Sequence, residues 1–142
     1  MPSRTVVTRS EAATRVAGEE LAPTLRAGDI VLLVGDLGMG KTVFARGVAA
    51  GLGVDPQQVR SPSFTLINRY AGHLTVYHID LYRVDCVEDL DELGLDEVLE
   101  GDGVAVVEWA ERLGPYRPRR FIEVRLTDRG GSERELTILD AR

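Results

Sequence analysis

Residues 35–42, GDLGMGKT, have the types and spacing that bind phosphate. They match the pattern Gly-x-x-x-x-Gly-Lys-Thr, in which glycines let backbone N–H groups curl around a β-phosphate. In this pattern Lys41 reaches the β- and γ-phosphate oxygens, and the Thr42 hydroxyl is a ligand of Mg²⁺. The stretch therefore predicts a nucleoside triphosphate site. Its residues are Gly35, Asp36, Leu37, Gly38, Met39, Gly40, Lys41 and Thr42.

Lys41 is also unusual in the composition of the chain. Of the 17 Lys and Arg residues, Lys41 is the single lysine and the rest are arginines. An ammonium and a guanidinium differ in shape and reach, so they are not interchangeable in a narrow site. A lysine kept at this one position supports the phosphate-binding interpretation over an ordinary Gly-rich turn.

A phosphate site that uses Mg²⁺ needs a carboxylate at the end of a neighbouring buried strand. Two residues are candidates: Asp80 ends the run LTVYHID, and Glu108 ends the more uniformly apolar run VAVVE. Their spacing along the chain does not rank them.

The absence of a guanine-recognition motif narrows the choice of nucleotide. Guanine recognition in common GTPases uses Asn-Lys-x-Asp, and here Asn68 is the only asparagine while Lys41 is the only lysine. The motif DELG at 91–94 matches Asp-x-x-Gly, but it follows an acidic helical stretch and not a buried strand. We therefore expect ATP as the nucleotide.

A polar segment, SPSFT at 61–65, lies between the helix that follows the phosphate loop and the next strand. The composition around Pro62 is typical of a plain loop. The position is also that of a switch segment, in which the hydroxyls of Ser61, Ser63 and Thr65 sense the γ-phosphate. By type alone, Trp109 is expected in the core and His78 as a structural hydrogen-bonding residue.

The remaining pattern predicts the elements that position these residues. The run IVLLV before the phosphate loop reads as a strand buried on both faces, with helices before it and after it. Pro23 is expected to end or kink the first of these helices. The predicted helices are 10–27, 41–53 and a pair within 87–100, and the predicted strands are 30–34, 64–70, 74–80, 103–109, 120–127 and 134–140.

These elements predict the fold class. It is an α/β, three-layer domain of the P-loop NTPase type, whose central mixed sheet has parallel core strands and antiparallel hairpins. The length of 142 residues suits one domain, 1–142.

Composition limits the partners and the compartment. The net charge of −6 argues against a protein that grips DNA or RNA through its own surface, so contact with RNA is expected through a partner. The absence of a long apolar run or secretory signal, together with a single cysteine, Cys86, predicts a soluble cytoplasmic protein.

The motifs in combination resemble a known family. GDLGMGKTVFARG, SPSFTLINRY, VYHIDLYRV and VEWAERL are similar to the TsaE (YjeE) family of small P-loop ATPases, over roughly residues 8 to 135. Family members usually have Thr-Thr after the lysine, where this chain has Thr42-Val43, and Thr at the position of Ser63. Both hydroxyls that matter are retained.

The resemblance implies a function in tRNA threonylcarbamoyladenosine synthesis. It implies an ATPase that works with the TsaD and TsaB proteins and contacts tRNA only through that complex. Low activity of the isolated chain is expected for a separate reason, since the sequence identifies no self-contained pair of residues that would activate water. The resemblance assigns ATP or ADP to residues 35–42, Mg²⁺ to Thr42 and Glu108, and a place near the γ-phosphate or the metal's waters to Asp80. Lys41, Asp80 and Glu108 are the implied catalytic residues.

The resemblance also implies places for three single residues and one segment. Trp109 and the segment from Ser61 to Thr65 are expected near the nucleotide and the partner. Glu11 and Arg134 are expected to border the nucleotide.

Two other functions are compatible with the phosphate loop alone. A small P-loop kinase would phosphorylate a nucleoside or metabolite, but it usually needs an acceptor pocket and an Arg-bearing lid, for which this chain has little room. A binding module could use the nucleotide as a signal, with hydrolysis incidental.

Overall fold

The computed structural model describes residues 2–36, 40–59 and 66–142. One seven-stranded sheet contains the strands in the order β1-β7-β6-β2-β5-β4-β3. The strands are β1 Ser3–Thr8, β2 Ile30–Val34, β3 Ile67–Ala71, β4 Thr75–Asp80, β5 Val104–Glu108, β6 Ile122–Asp128 and β7 Arg134–Asp140. The helices are α1 Glu11–Leu21, α2 Lys41–Gly51, α3 Val87–Glu92 and α4 Leu95–Leu99.

The strand that precedes the phosphate loop lies at the centre of the sheet. β2 pairs in parallel with β5 on one side and β6 on the other. All five residues of β2 are buried, as are all five of β5. Uniformly apolar strands of this kind require cover on both faces, because no side chain points to water.

Helices provide that cover on both sides. Residues of α1 and α2, including Leu21, Phe44 and Val48, pack on one face of the sheet against Val31 and Leu33. Leu90 of α3 and Leu95 of α4 belong to a second cluster, with residues of the opposite face. The predicted three-layer α/β class is confirmed. Among the residues described, no helix is long and apolar enough to cross a membrane.

Helices α1 and α2 cross so closely that there is no room for a Cβ atom at two glycines between them. A Cβ added at Gly47 would lie 2.0 Å from the carbonyl oxygen of Arg15, and one added at Gly18 would lie 2.3 Å from that of Phe44. Real Cβ atoms do not come so close to backbone, so these glycines set how tightly α2 packs on α1. The position of α2 matters because its first turn carries Lys41 and Thr42.

Most predicted elements are present, with shifted ends. The antiparallel hairpins β3–β4 and β6–β7 and the short helix pair α3 and α4 are confirmed. The predicted helix 10–27 is too long: α1 ends at Leu21, and Ala22–Thr24 form a 3₁₀ turn. Pro23 explains the difference, since its ring and missing N–H do not fit an α-helix interior.

One strand was not predicted. β1, Ser3–Thr8, pairs antiparallel with β7 at the edge of the sheet, and four of its six residues are exposed. An edge strand with little burial has no alternating apolar pattern to identify it. Its pairing was therefore absent from the sequence-based topology.

Candidate nucleotide-binding site

The phosphate loop leaves β2 and enters α2 through two glycines in conformations that disfavour side chains. Gly35 has φ of +144°, and a Cβ there would lie 2.6 Å from the carbonyl oxygen of Leu126. Gly40, immediately before α2, has φ of +89°. Both geometries favour glycine, which explains why glycine stands at positions 35 and 40. The first turn of α2 points its free N–H groups at the site, which favours an anion there.

Lys41 is held inside the site and not on its surface. Its side chain is 4% exposed, and Nζ donates to the carbonyl oxygens of Gly35 and Asp36, each at 2.7 Å. Nζ also lies 4.3 Å from the centre of the Trp109 ring, in a cation–π contact. Burial lowers the pKa of Lys41, and the carboxylates of Glu111 and Glu108 oppose that shift.

The two candidate carboxylates meet at one edge of the sheet. Asp80 ends β4 and Glu108 ends β5, and these parallel strands place the two residues as direct register partners. Both residues are buried, with exposures of 5% and 3%. Residues opposite each other in a sheet project from the same face, here the face that α2 covers.

Glu108 connects strand β5 to helix α2. The Thr42 hydroxyl donates to Glu108 Oε1 at 2.8 Å, and His78 Nε2 lies 2.5 Å from Glu108 Oε2. Asp80 has a different attachment, since its Oδ1 accepts from the backbone N–H of Tyr82 at 2.9 Å. Glu108 is therefore the carboxylate that contacts the hydroxyl expected at the metal.

A pocket of about 380 Å³ opens at this junction. Its lining combines a cation, carboxylates, a hydroxyl and an aromatic ring. The lining residues are Glu11, Gly40, Lys41, Thr42, Val43, Asp80, Tyr82, Arg83, Glu108 and Trp109. Mg²⁺ in phosphate sites is bound by one or two protein groups together with phosphates and waters. The hydroxyl and the carboxylates in the lining fit that requirement.

The structure brings together most of the predicted site residues. Glu11, Gly40, Lys41, Thr42, Asp80, Glu108 and Trp109 line one pocket. Gly35 and Asp36 contribute the carbonyls that hold Lys41. The predicted residues Leu37, Gly38, Met39, Ser61, Ser63 and Thr65 lie outside the described residues.

Arg134 is not among the residues that line this pocket. It begins β7, and its Nη1 donates to Asp128 Oδ1 at 3.2 Å and to the carbonyl oxygens of Gly131 and Glu133. These contacts tie the β6–β7 turn together. Its place at the nucleotide stays a prediction.

Trp109 has an environment that its residue type did not predict. Its φ of +58° lies in the left-handed region, which is rare for a bulky residue. The Trp109 ring contacts Lys41 and also the ring of Tyr82. The centres of the two aromatic rings are 5.2 Å apart. Arg112 stands 5.3 Å from the ring and donates to the carbonyl oxygens of Tyr82 and Val84. Backbone strain of this kind is typical of functional sites.

Sequence reasoning missed Tyr82, Arg83 and Arg112, although the motif HIDLYR contains the first two. It also assigned His78 no role beyond structure. The signal was available in part: in a strand that ends at Asp80, the residue two positions earlier projects from the same face.

Comparisons with known proteins point to one family. The family model described as TsaE, threonylcarbamoyl adenosine biosynthesis protein, matches residues 8–136. A tRNA threonylcarbamoyladenosine biosynthesis protein TsaE from Treponema pallidum (strain Nichols) is 39% identical over 132 residues, which cover 93% of this chain and 97% of that protein. The protein of the same name from Bacillus subtilis (strain 168) is 40% identical over 125 residues, covering 87% and 77%.

A solved structure has the same fold. The crystal structure of YdiB from Bacillus subtilis superposes with a TM-score of 0.82 at 33% sequence identity. The match covers 99% of this chain and 87% of that one.

Proposed function

The chain belongs to the TsaE family of threonylcarbamoyl adenosine biosynthesis proteins, and on that premise we propose that it is the ATP-binding and ATP-hydrolysing component of bacterial tRNA N6-threonylcarbamoyladenosine synthesis. In this proposal it acts in the cytoplasm with the TsaD and TsaB proteins and sustains their turnover. The modified nucleoside is the adenosine beside the anticodon.

One observation carries the proposal: Lys41, Thr42, Asp80 and Glu108 face a single pocket at the start of α2. Lys41 supplies a fixed positive charge for the β- and γ-phosphate oxygens, and the N-terminal N–H groups of α2 add donors. Thr42 and Glu108, with Asp80 beside them, are the groups that would hold Mg²⁺. A bound Mg²⁺ would supply positive charge against the negative charge that develops on the phosphates during hydrolysis.

The charge of the chain supports an indirect contact with tRNA. Its net charge is −6, whereas binding an RNA backbone by direct neutralisation needs clustered cations. Nine carboxylates lie between Asp85 and Asp102, on and around α3 and α4. The substrate RNA is therefore reached through the partner proteins in this proposal.

The test is tRNA modification over several turnovers in a reconstituted system with TsaD and TsaB. We expect Lys41→Ala to abolish multiple-turnover modification, because it removes charge stabilisation of the transition state. Arg46→Ala is the matched control, since Arg46 is an exposed cation of the same helix that does not line the pocket. Full activity of Lys41→Ala would overturn the ATPase mechanism.

The same preparation addresses the rival kinase function. Radiolabelled γ-phosphate should appear as inorganic phosphate. Transfer of the label to a nucleoside or other small acceptor would overturn the proposed function in favour of a kinase.

A further inference from the structure

We propose that His78 is a positioning residue of the nucleotide site, which fixes the carboxylate of Glu108 and, through it, the hydroxyl of Thr42. The inference rests on the proposed function, because it assigns Glu108 and Thr42 to the metal-binding side of the pocket. It gives a role to a buried polar residue that does not itself line the pocket.

The contact is buried and specific. His78 is 2% exposed and Glu108 is 3% exposed, and Nε2 lies 2.5 Å from Glu108 Oε2. An ionised carboxylate only accepts hydrogen bonds, so His78 Nε2 carries the hydrogen and donates it. The other oxygen, Oε1, accepts from Thr42 at 2.8 Å. Each oxygen of Glu108 thus has a partner on a different element, β4 on one side and α2 on the other.

The strand register explains why His78 stands behind the carboxylates. On β4, His78 pairs with Val106 and Asp80 pairs with Glu108. Alternate residues of a strand share a face, so His78 lies one step deeper in the same layer as both acids. From there it contacts Glu108, which lines the pocket, and does not line the pocket itself. It therefore acts on the site through another residue.

The orientation of Glu108 also determines the orientation of the Thr42 hydroxyl, which has a single hydrogen. That hydrogen is donated to Glu108, and the oxygen lone pairs remain available to a cation. Loss of His78 would leave one oxygen of a buried carboxylate without its partner, which is costly. The carboxylate would then turn toward other donors, and Thr42 would lose its fixed orientation.

The experiment compares His78→Leu with His78→Gln by measuring ADP affinity with Mg²⁺ and with EDTA. Leucine removes the donor, while the glutamine amide extends a donor to nearly the same reach. The quantity compared is the ratio of the ADP affinity in Mg²⁺ to the ADP affinity in EDTA. We expect this ratio to fall about tenfold or more in His78→Leu, as is typical when a residue that orients a metal ligand is lost. His78→Gln should keep most of the ratio.

The ratio separates positioning from general destabilisation. Both affinities come from one preparation, so an unfolded fraction cancels. Val76→Ala is the matched control, since Val76 is 1% exposed and lies on the same face of β4 two residues before His78. It should lower stability and leave the ratio unchanged. If His78→Leu does not fold, His78→Asn provides the contrast with glutamine, because its amide is too short to reach Glu108.

Two results would overturn the inference while leaving the proposed function intact. One is an unchanged ratio in His78→Leu, and the other is an equal loss in His78→Gln, which would indicate a need for the ring and not for the hydrogen bond. A wild-type chain that binds no ADP, or binds it equally in both buffers, would instead overturn the proposed nucleotide and metal site.

Discussion

Thr42 and Glu108 are 66 residues apart in sequence and are joined by a hydrogen bond of 2.8 Å. The bond links the first turn of α2, directly after the predicted phosphate loop, to the end of β5. It also distinguishes the two candidate carboxylates, because Asp80 is instead bonded to the backbone of Tyr82. Four predictions follow from this and other contacts.

We expect Thr42→Val to lose Mg²⁺-dependent ATP hydrolysis by roughly 10- to 100-fold, because it replaces the hydroxyl that both contacts Glu108 and faces the pocket. Valine has nearly the same shape as threonine, so the fold should persist. Phosphate release at saturating ATP measures the effect. Thr42→Ser retains the hydroxyl and should stay near wild type; equal loss in both variants would show that the methyl group matters and not the hydroxyl.

Lys41→Arg should be as damaging as Lys41→Ala, although it keeps the charge. Nζ lies between two carbonyl oxygens at 2.7 Å and a ring at 4.3 Å, a space shaped for a compact ammonium. A planar guanidinium does not fit it. We expect hydrolysis to fall by about 100-fold or more, as when one aligned donor is removed. Arg46→Lys, on the exposed side of α2, is the control, and a functional Lys41→Arg enzyme would contradict the packing argument.

Gly47→Ala should lower the free energy of unfolding by about 1–3 kcal/mol, the usual cost of an overpacked contact. The added Cβ would meet the carbonyl oxygen of Arg15 at 2.0 Å. The sign of this change in the free energy of unfolding distinguishes a close crossing from an open site, because alanine in place of glycine at an exposed helical site stabilises by up to about 1 kcal/mol. Urea unfolding gives the value. Ala12→Gly, at an exposed position of α1, measures the propensity term alone, and a Gly47→Ala chain as stable as wild type would rule out the close crossing.

Tyr116 should ionise at a higher pH than an ordinary tyrosine. Its hydroxyl donates to Asp91 of α3, and this bond raises the pKa of Tyr116 to about 12. Because the pKa in the folded state lies above its ordinary value of about 10, the bond's contribution to stability is fully present below pH 10 and is lost as the pH rises through about 12. Tyrosinate absorbance as a function of pH measures the pKa of Tyr116. Asp91→Asn should lower that pKa toward about 10. Four tyrosines that titrate together in the wild-type chain would contradict it.

The parts of the fold that sequence predicted are those with strong local patterns. The apolar runs of β2 and β5 and the turn at 129–133 between β6 and β7 have signals within a few residues. β1 has none, because its pairing with β7 depends on residues more than a hundred positions away. The end of the first helix was overestimated because the apolar spacing continues to Leu25 after Pro23 has ended the α-helix.

The site shows the same division. The phosphate loop is a contiguous motif, and its lysine and threonine were found from sequence alone. Residue spacing did not rank Asp80 and Glu108, and only the family resemblance named Glu108, since the ranking depends on which carboxylate contacts Thr42. Likewise, the contact of Trp109 with Lys41 requires a left-handed backbone at a residue type that rarely adopts it.

The strand order has a consequence for synthesis on the ribosome. β2 carries the phosphate loop but pairs with β5 and β6, which are translated about 70 to 95 residues later. β1 waits still longer, since its partner β7 follows β6 in the chain. Pairings of such large sequence separation form slowly. In the nascent chain the apolar strand IVLLV cannot take its place in this sheet until β5 and β6 have left the exit tunnel. The pocket at the start of α2 is completed no earlier, because Glu108 at the end of β5 lines it.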